Sequence, residues 1–109
     1  MEIEEKKIYL KKYRVLQSKI ERMREMIRLC PENAEKYAVK INESIELRDK
    51  IEREIDLVDG DVLSEVLSQK YICGKSLEQI SYMINYSKRQ VERLHLRALD
   101  AFESEKCLG

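Results

Sequence analysis

The run Ser87-Lys88-Arg89-Gln90-Val91-Glu92-Arg93 places three cations and one carboxylate within two turns of a helix start. Arginine presents a planar fork that matches guanine O6 and N7, lysine reaches the same acceptors, and glutamate accepts from cytosine N4. Lys88, Arg89, Glu92 and Arg93 are therefore candidate base readers. A second group suits phosphate oxygens: Lys70 and Lys75 upstream, the hydroxyls of Ser76, Tyr86 and Ser87, and Arg97 further along the same helix. A basic helix face is often no more than a solvated one. The weight of the reading falls on the elements that carry it.

Those elements are punctuated clearly. Ser76-Leu77-Glu78-Gln79 has Ser at a helix N-cap and Gln three residues on, a capping box. Ser87-Lys88-Arg89-Gln90 repeats the box eleven residues later. Each serine oxygen satisfies an otherwise orphaned N–H, worth about 1 kcal/mol. Between the boxes lies Asn85-Tyr86, and asparagine tolerates the left-handed conformation better than other non-glycine residues. The expectation is a helix over about 77–84, a tight turn, and a longer helix over 88–103. A preceding helix is expected over about Val62–Cys73. Leu77, Ile80 and Ile84 line one face of the shorter helix; Val91, Leu94, Ala98 and Phe102 line one face of the longer. Ser81 is small where the two would cross, and Tyr86 is placed to plug the gap between them. Ser81, Asn85 and Val91 follow the general helix-turn-helix spacing of small residue, turn residue and β-branched residue.

Upstream, the chain reads as two further helices broken at Cys30-Pro31-Glu32-Asn33 and Asp59-Gly60-Asp61. In the first, Tyr9, Tyr13, Leu16, Ile20, Met23, Ile27 and Cys30 alternate spacings of four and three, an a/d heptad seam. In the second, Tyr37, Ile41, Ile45, Leu47, Ile51, Ile55 and Val58 form a less regular apolar face. Residues 1–28 hold nine basic against five acidic side chains; residues 32–59 hold five against nine. Opposite charge and a short connection predict an antiparallel hairpin. Residues 1–58 are thus expected to form a coiled-coil-like arm for oligomerisation or docking, and residues 61–109 a helix-turn-helix domain. The alternative is a hairpin that folds back on its own domain.

Composition agrees with an all-α chain: 39% charged, 43% hydrophobic, three Gly and one Pro in 109 residues. No apolar run approaches the roughly 18 residues of a membrane span. The charged N-terminus lacks the apolar segment of a secretory signal, so a cytoplasmic protein without membrane contact is expected. Cys30, Cys73 and Cys107 are too widely spaced for a zinc site or a disulfide framework, and His95 has no neighbouring ligand. No nucleophile–base pair or phosphate loop stands out. Neither a cofactor nor an enzymatic activity is expected.

The stretch Tyr71-x-x-Gly74-Lys75-Ser76-Leu77-Glu78-Gln79-Ile80-Ser81-x-x-Ile84-Asn85-Tyr86-Ser87-x-Arg89-Gln90-Val91-x-Arg93-Leu94-His95-x-Arg97-Ala98-Leu99 resembles region 4 of bacterial sigma factors. Gly-Lys-Ser-Leu-Glu-Gln-Ile and Leu-His-x-Arg-Ala-Leu look closer still to small phage regulators of the ArpU/RinA type. The resemblance covers about Val62 to Phe102. It implies a DNA-binding transcriptional regulator of phage or prophage type, with double-stranded DNA as partner and RNA polymerase as a second. By position, the base-reading residues of the family fall on Lys88, Arg89 and Arg93. The arm lies outside the resemblance and is expected to make the protein a homodimer. Two alternatives stay open: a DNA-packaging protein like a phage terminase small subunit, and a helix-turn-helix interaction module that does not bind DNA. The formal net charge of zero keeps the last in view.

Overall fold

The computed structural model describes residues 1–104; the expected position of Cys107 and the end of the 61–109 segment lie outside that range. Every regular element among the described residues is helical. They are α1 (Ile3–Leu29), α2 (Ala34–Asp56), α3 (Asp61–Leu67), α4 (Leu77–Ile84) and α5 (Lys88–Ala101). A short 3₁₀ turn at Pro31–Asn33 joins α1 to α2, where proline's fixed φ suits a first turn.

The two long helices run in opposite directions. Tyr9 of α1 bonds Glu54 near the end of α2, and Gln17 accepts from Arg48 Nη1 at 2.7 Å. Further out, Ile20 and Met23 pack on Ile41, with Ile27, Tyr37 and Ile45 half-buried around them. Of the a/d seam, Tyr9, Ile20 and Met23 are buried within the chain, while Tyr13, Leu16, Ile27 and Cys30 are half-buried. Leu47 is an exception in α2: it is exposed rather than part of the buried face. The ion pairs Lys7–Glu4, Arg28–Glu25 and Arg48–Asp49 each join neighbours on one helix, where such pairs contribute little.

The other end of the pair has a second obligation. Tyr9 and Leu10 of α1 share one core with Ile51, Ile55 and Val58, with Leu67 and Tyr71, and with Ala98, Leu99 and Phe102 at the end of α5. Leu10 stands outside the heptad seam, yet is fully buried. It occupies a second face of α1, turned toward α5. A separate small core joins α3, α4 and α5 through Val66, Ile80 and Val91, with Leu77, Ile84 and Leu94 at its edge.

Two details depart from the expected helices. The helix expected over 62–73 begins at Asp61 and, after Leu67, widens into a π-helical turn over Ser68–Ile72. Cys73 N–H reaches back to Ser68 O at 3.0 Å, and Lys75 N–H to Gln69 O at 3.0 Å. Gly74 ends this turn at φ +73, where a Cβ would overlap the Arg14 guanidinium. A left-handed residue and a close approach from α1 both favour glycine there. The last helix ends at Ala101, not Glu103. Phe102 turns extended (φ −70, ψ 130) and inserts its ring beside Tyr9. Burying the phenyl group in the shared core outweighs one more helical bond.

The shared core predicts an asymmetry between neighbours on α1. Leu10→Ala should cost about 2–5 kcal/mol through the cavity it leaves. Ile8→Ala, at an exposed site, should change stability by no more than about 0.5 kcal/mol. Denaturant unfolding followed by far-ultraviolet circular dichroism checks both. Equal costs would contradict the placement of Leu10.

Candidate nucleic-acid interface

Both capping boxes form. Ser76 Oγ accepts from Gln79 N–H at 3.1 Å while Ser76 N–H donates to Gln79 Oε1 at 2.8 Å. Ser87 and Gln90 repeat the exchange at 3.1 and 2.9 Å. Asn85 ends α4 at φ 62, ψ 35, and its N–H bonds Ser81 O. Tyr86 N–H also bonds Ser81 O, at 3.1 Å. Ser81 is buried, its hydroxyl turned onto Glu78 O at 2.6 Å. The sequence therefore fixes where α5 starts and how it lies across α4.

Val91, His95, Ala98 and Leu99 are the buried face of α5. Lys88, Arg89, Glu92, Arg93, Leu96, Arg97 and Asp100 are exposed. Helical geometry puts Arg89, Arg93, Leu96 and Asp100 on the face turned away from the core, with Arg97 beside them. Lys88 and Glu92 lie together on one flank. Among the described residues none of Arg89, Arg93 and Arg97 pairs with a carboxylate. The N–H groups of Lys88 and Arg89 have no intrahelical acceptor, as at any helix start. The structure thus brings the four candidate base readers to one free helix end.

The candidate phosphate ligands do not form one cluster. Tyr86, Ser87 and Lys88 line one depression with Glu78, Ser81, Tyr82 and Asn85. Tyr86 is exposed there, so it does not plug the gap between α4 and α5; Ile80 packs with Val91 across it. The serine hydroxyls at 76 and 87 are engaged as acceptors by their caps, which leaves each O–H proton for an outside oxygen. Arg97 borders another depression, shared with Asp59 and Asp61. Those two carboxylates lower the attraction for an anion on that side. Lys75 is half-buried with its Nζ 3.2 Å from Met83 Sδ. Lys70 stands apart, in a depression with Lys11, Arg14 and Tyr71.

His95 is buried, and its Nε2 lies 2.8 Å from the Tyr71 hydroxyl. Burial pushes the imidazole down to about 4, helped by the charges of Lys70 and Lys7. Burial, with Glu4, pushes the Tyr71 phenol up to about 12. Both shifts favour a neutral phenol and a neutral imidazole joined by this hydrogen bond. The bond ties the π turn to the middle of α5, so His95 is a positioning residue.

Comparison of the chain with family models, with characterised proteins and with solved structures gave no match.

The depressed imidazole has a consequence for pH. Unfolded, His95 takes up a proton near its ordinary 6.5; folded, near 4. The unfolded chain binds the extra proton first, so this group withdraws stability as pH falls from about 6.5 toward about 4. His95→Gln should therefore lose less thermal midpoint between pH 7 and pH 4.5 than the parent chain. An identical pH dependence in both would contradict the assignment.

Proposed function

We propose that this protein is a sequence-specific DNA-binding transcriptional regulator that reads the major groove with the first turns of α5. The observation that carries the reading is the exposed arginine face, unpaired among the described residues, with Arg89 and Arg93 one turn apart on a helix capped by Ser87 and set by the left-handed Asn85. Such a helix end fits the major groove, and its first residues meet base edges. Lys88 and Glu92 extend the reading surface along one flank. Tyr86, Ser87 and the free N–H groups of the helix start suit the adjoining phosphates through hydroxyls, amides and dipole. The resemblance to sigma region 4 and to small phage regulators supports the same class. It also makes RNA polymerase a candidate second partner.

A homodimer belongs to this proposal in altered form. Ile20 and Met23 are buried inside the helix pair, so the middle of the seam is not open to a second copy. Exposed apolar side chains that could meet a second copy include Val15 and Leu29 of α1 and Val39 and Leu47 of α2.

Arg89→Ala and Arg93→Ala should each cost about 1–3 kcal/mol on the preferred site and relax preference at one or two base pairs. Both arginines are exposed, so folding should be unaffected. Anisotropy titrations on the preferred duplex and its single-base variants separate the outcomes. Equal loss on every sequence would reduce these residues to electrostatic contacts and overturn the reading.

A further inference from the structure

Lys11, Arg14 and Lys70 come from segments more than fifty residues apart and meet around one depression of about 230 Å³, floored by Tyr71. Arg14 is set in place from below, its Nη1 donating to Ile72 O at 3.2 Å beside Gly74. Lys70 stretches over the Tyr71 ring, its Nζ 5.8 Å from the centroid. Among the described residues none of the three cations pairs with a carboxylate, and no acidic side chain lines the depression. Lys7, the next cation along this edge of α1, is turned to Glu4. The charges feel one another: burial first, then Lys11 and Lys7, lower the affinity of Lys70 for its proton. An anion in the depression would relieve the repulsion that Lys70 feels from its neighbours.

We propose that this cleft is a second backbone-phosphate contact for the same DNA duplex, so that α1 takes part in binding beside the reading helix. The inference rests on the DNA-binding reading above. Continuity argues for it: Arg14 abuts Gly74, Gly74 precedes Lys75 and Ser76, and Ser76 opens α4. The cations therefore lead toward the start of α4, one of the backbone-contacting ends of a helix-turn-helix. Composition argues for nucleic acid over an acidic protein. Protein interfaces are depleted in lysine and centred on apolar side chains. This depression offers lysine and arginine around a single tyrosine ring. A phosphate backbone asks for cations of this kind and no further apolar area.

The test uses the full chain, the preferred duplex and a scrambled duplex, titrated over a salt series. Lys11→Gln and Lys70→Gln should each lower affinity several-fold on both duplexes alike and reduce the salt slope by about one. The ratio between the two duplexes should stay that of the parent chain. Arg14 is left in place because it also holds the Ile72 carbonyl. Lys36→Gln, on an exposed site at the far end of the helix pair, removes the same charge and should leave the slope unchanged. A parent slope retained in the Lys11→Gln/Lys70→Gln chain overturns the cleft contact and leaves this surface to an acidic protein. An equal fall with Lys36→Gln overturns it too, by showing an effect of net charge alone. A parent chain with no salt-sensitive duplex binding removes the DNA reading itself. Discrimination between duplexes with an unaltered slope in the variants removes only this inference.

Discussion

Lys6 closes the C-terminal end of α5. Its ammonium group, buried under the shared core, donates to Leu99 O at 2.9 Å and Asp100 O at 3.2 Å. The last carbonyls of a helix have no partners of their own and carry the negative end of its dipole. A cation there satisfies both needs, worth up to about 2 kcal/mol in a partly buried setting. Around it, Leu10, Leu99 and Phe102 are excluded from water. One polar contact and one apolar cluster thus hold the first turns of α1 against the last turn of α5. The angle of α5 is fixed from the end remote from Arg89 and Arg93.

The rest of the architecture follows from that clamp. The N-terminal half of α5 is held by Val66, Ile80 and Val91, and its C-terminal half by α1 and α2. Between the two cores the Tyr71–His95 bond adds a directional tie. With one side so occupied along its length, α5 has a single free face, the one that carries Arg89 and Arg93. A helix buttressed this way can meet a rigid partner without reordering, which lowers the entropic cost of binding. The same packing gives the long helix pair a fixed base and brings Lys11 and Arg14 beside the π turn. The arm and the turn unit, distinct in sequence, share a core where they meet.

The local chemistry was legible in the sequence. Ser76, Gln79, Ser87 and Gln90 act through bonds three residues long, and Asn85 through its own φ, so pattern alone locates them. The buried face of α5 follows from helical period. What escaped depends on partners far away in the chain. Leu10 looks like a spare apolar residue beside Tyr9 until a second helix arrives on its side. Lys6 and Glu54 read as surface charges, yet one caps α5 and the other is bonded to Tyr9. Leu47 and Tyr86 fit an apolar pattern but lie outside the packed cores. The π turn leaves no mark in hydrophobic spacing. It becomes intelligible only with Gly74, the Arg14 guanidinium and His95 in view. For the candidate site the division is the same: the outward cations of α5 follow from periodicity, while the meeting of Lys11 and Arg14 with Lys70 needs the fold.

On the proposed reading, a set, buttressed helix presents arginines that distinguish one base sequence from another. The decisive measurement is selection from a random pool of DNA duplexes with the full chain at near-physiological salt. Successive rounds should converge on a short motif containing guanine at positions spaced for two arginines one helical turn apart. Retained duplexes that stay random in sequence, or a pool that is not retained at all, would contradict it.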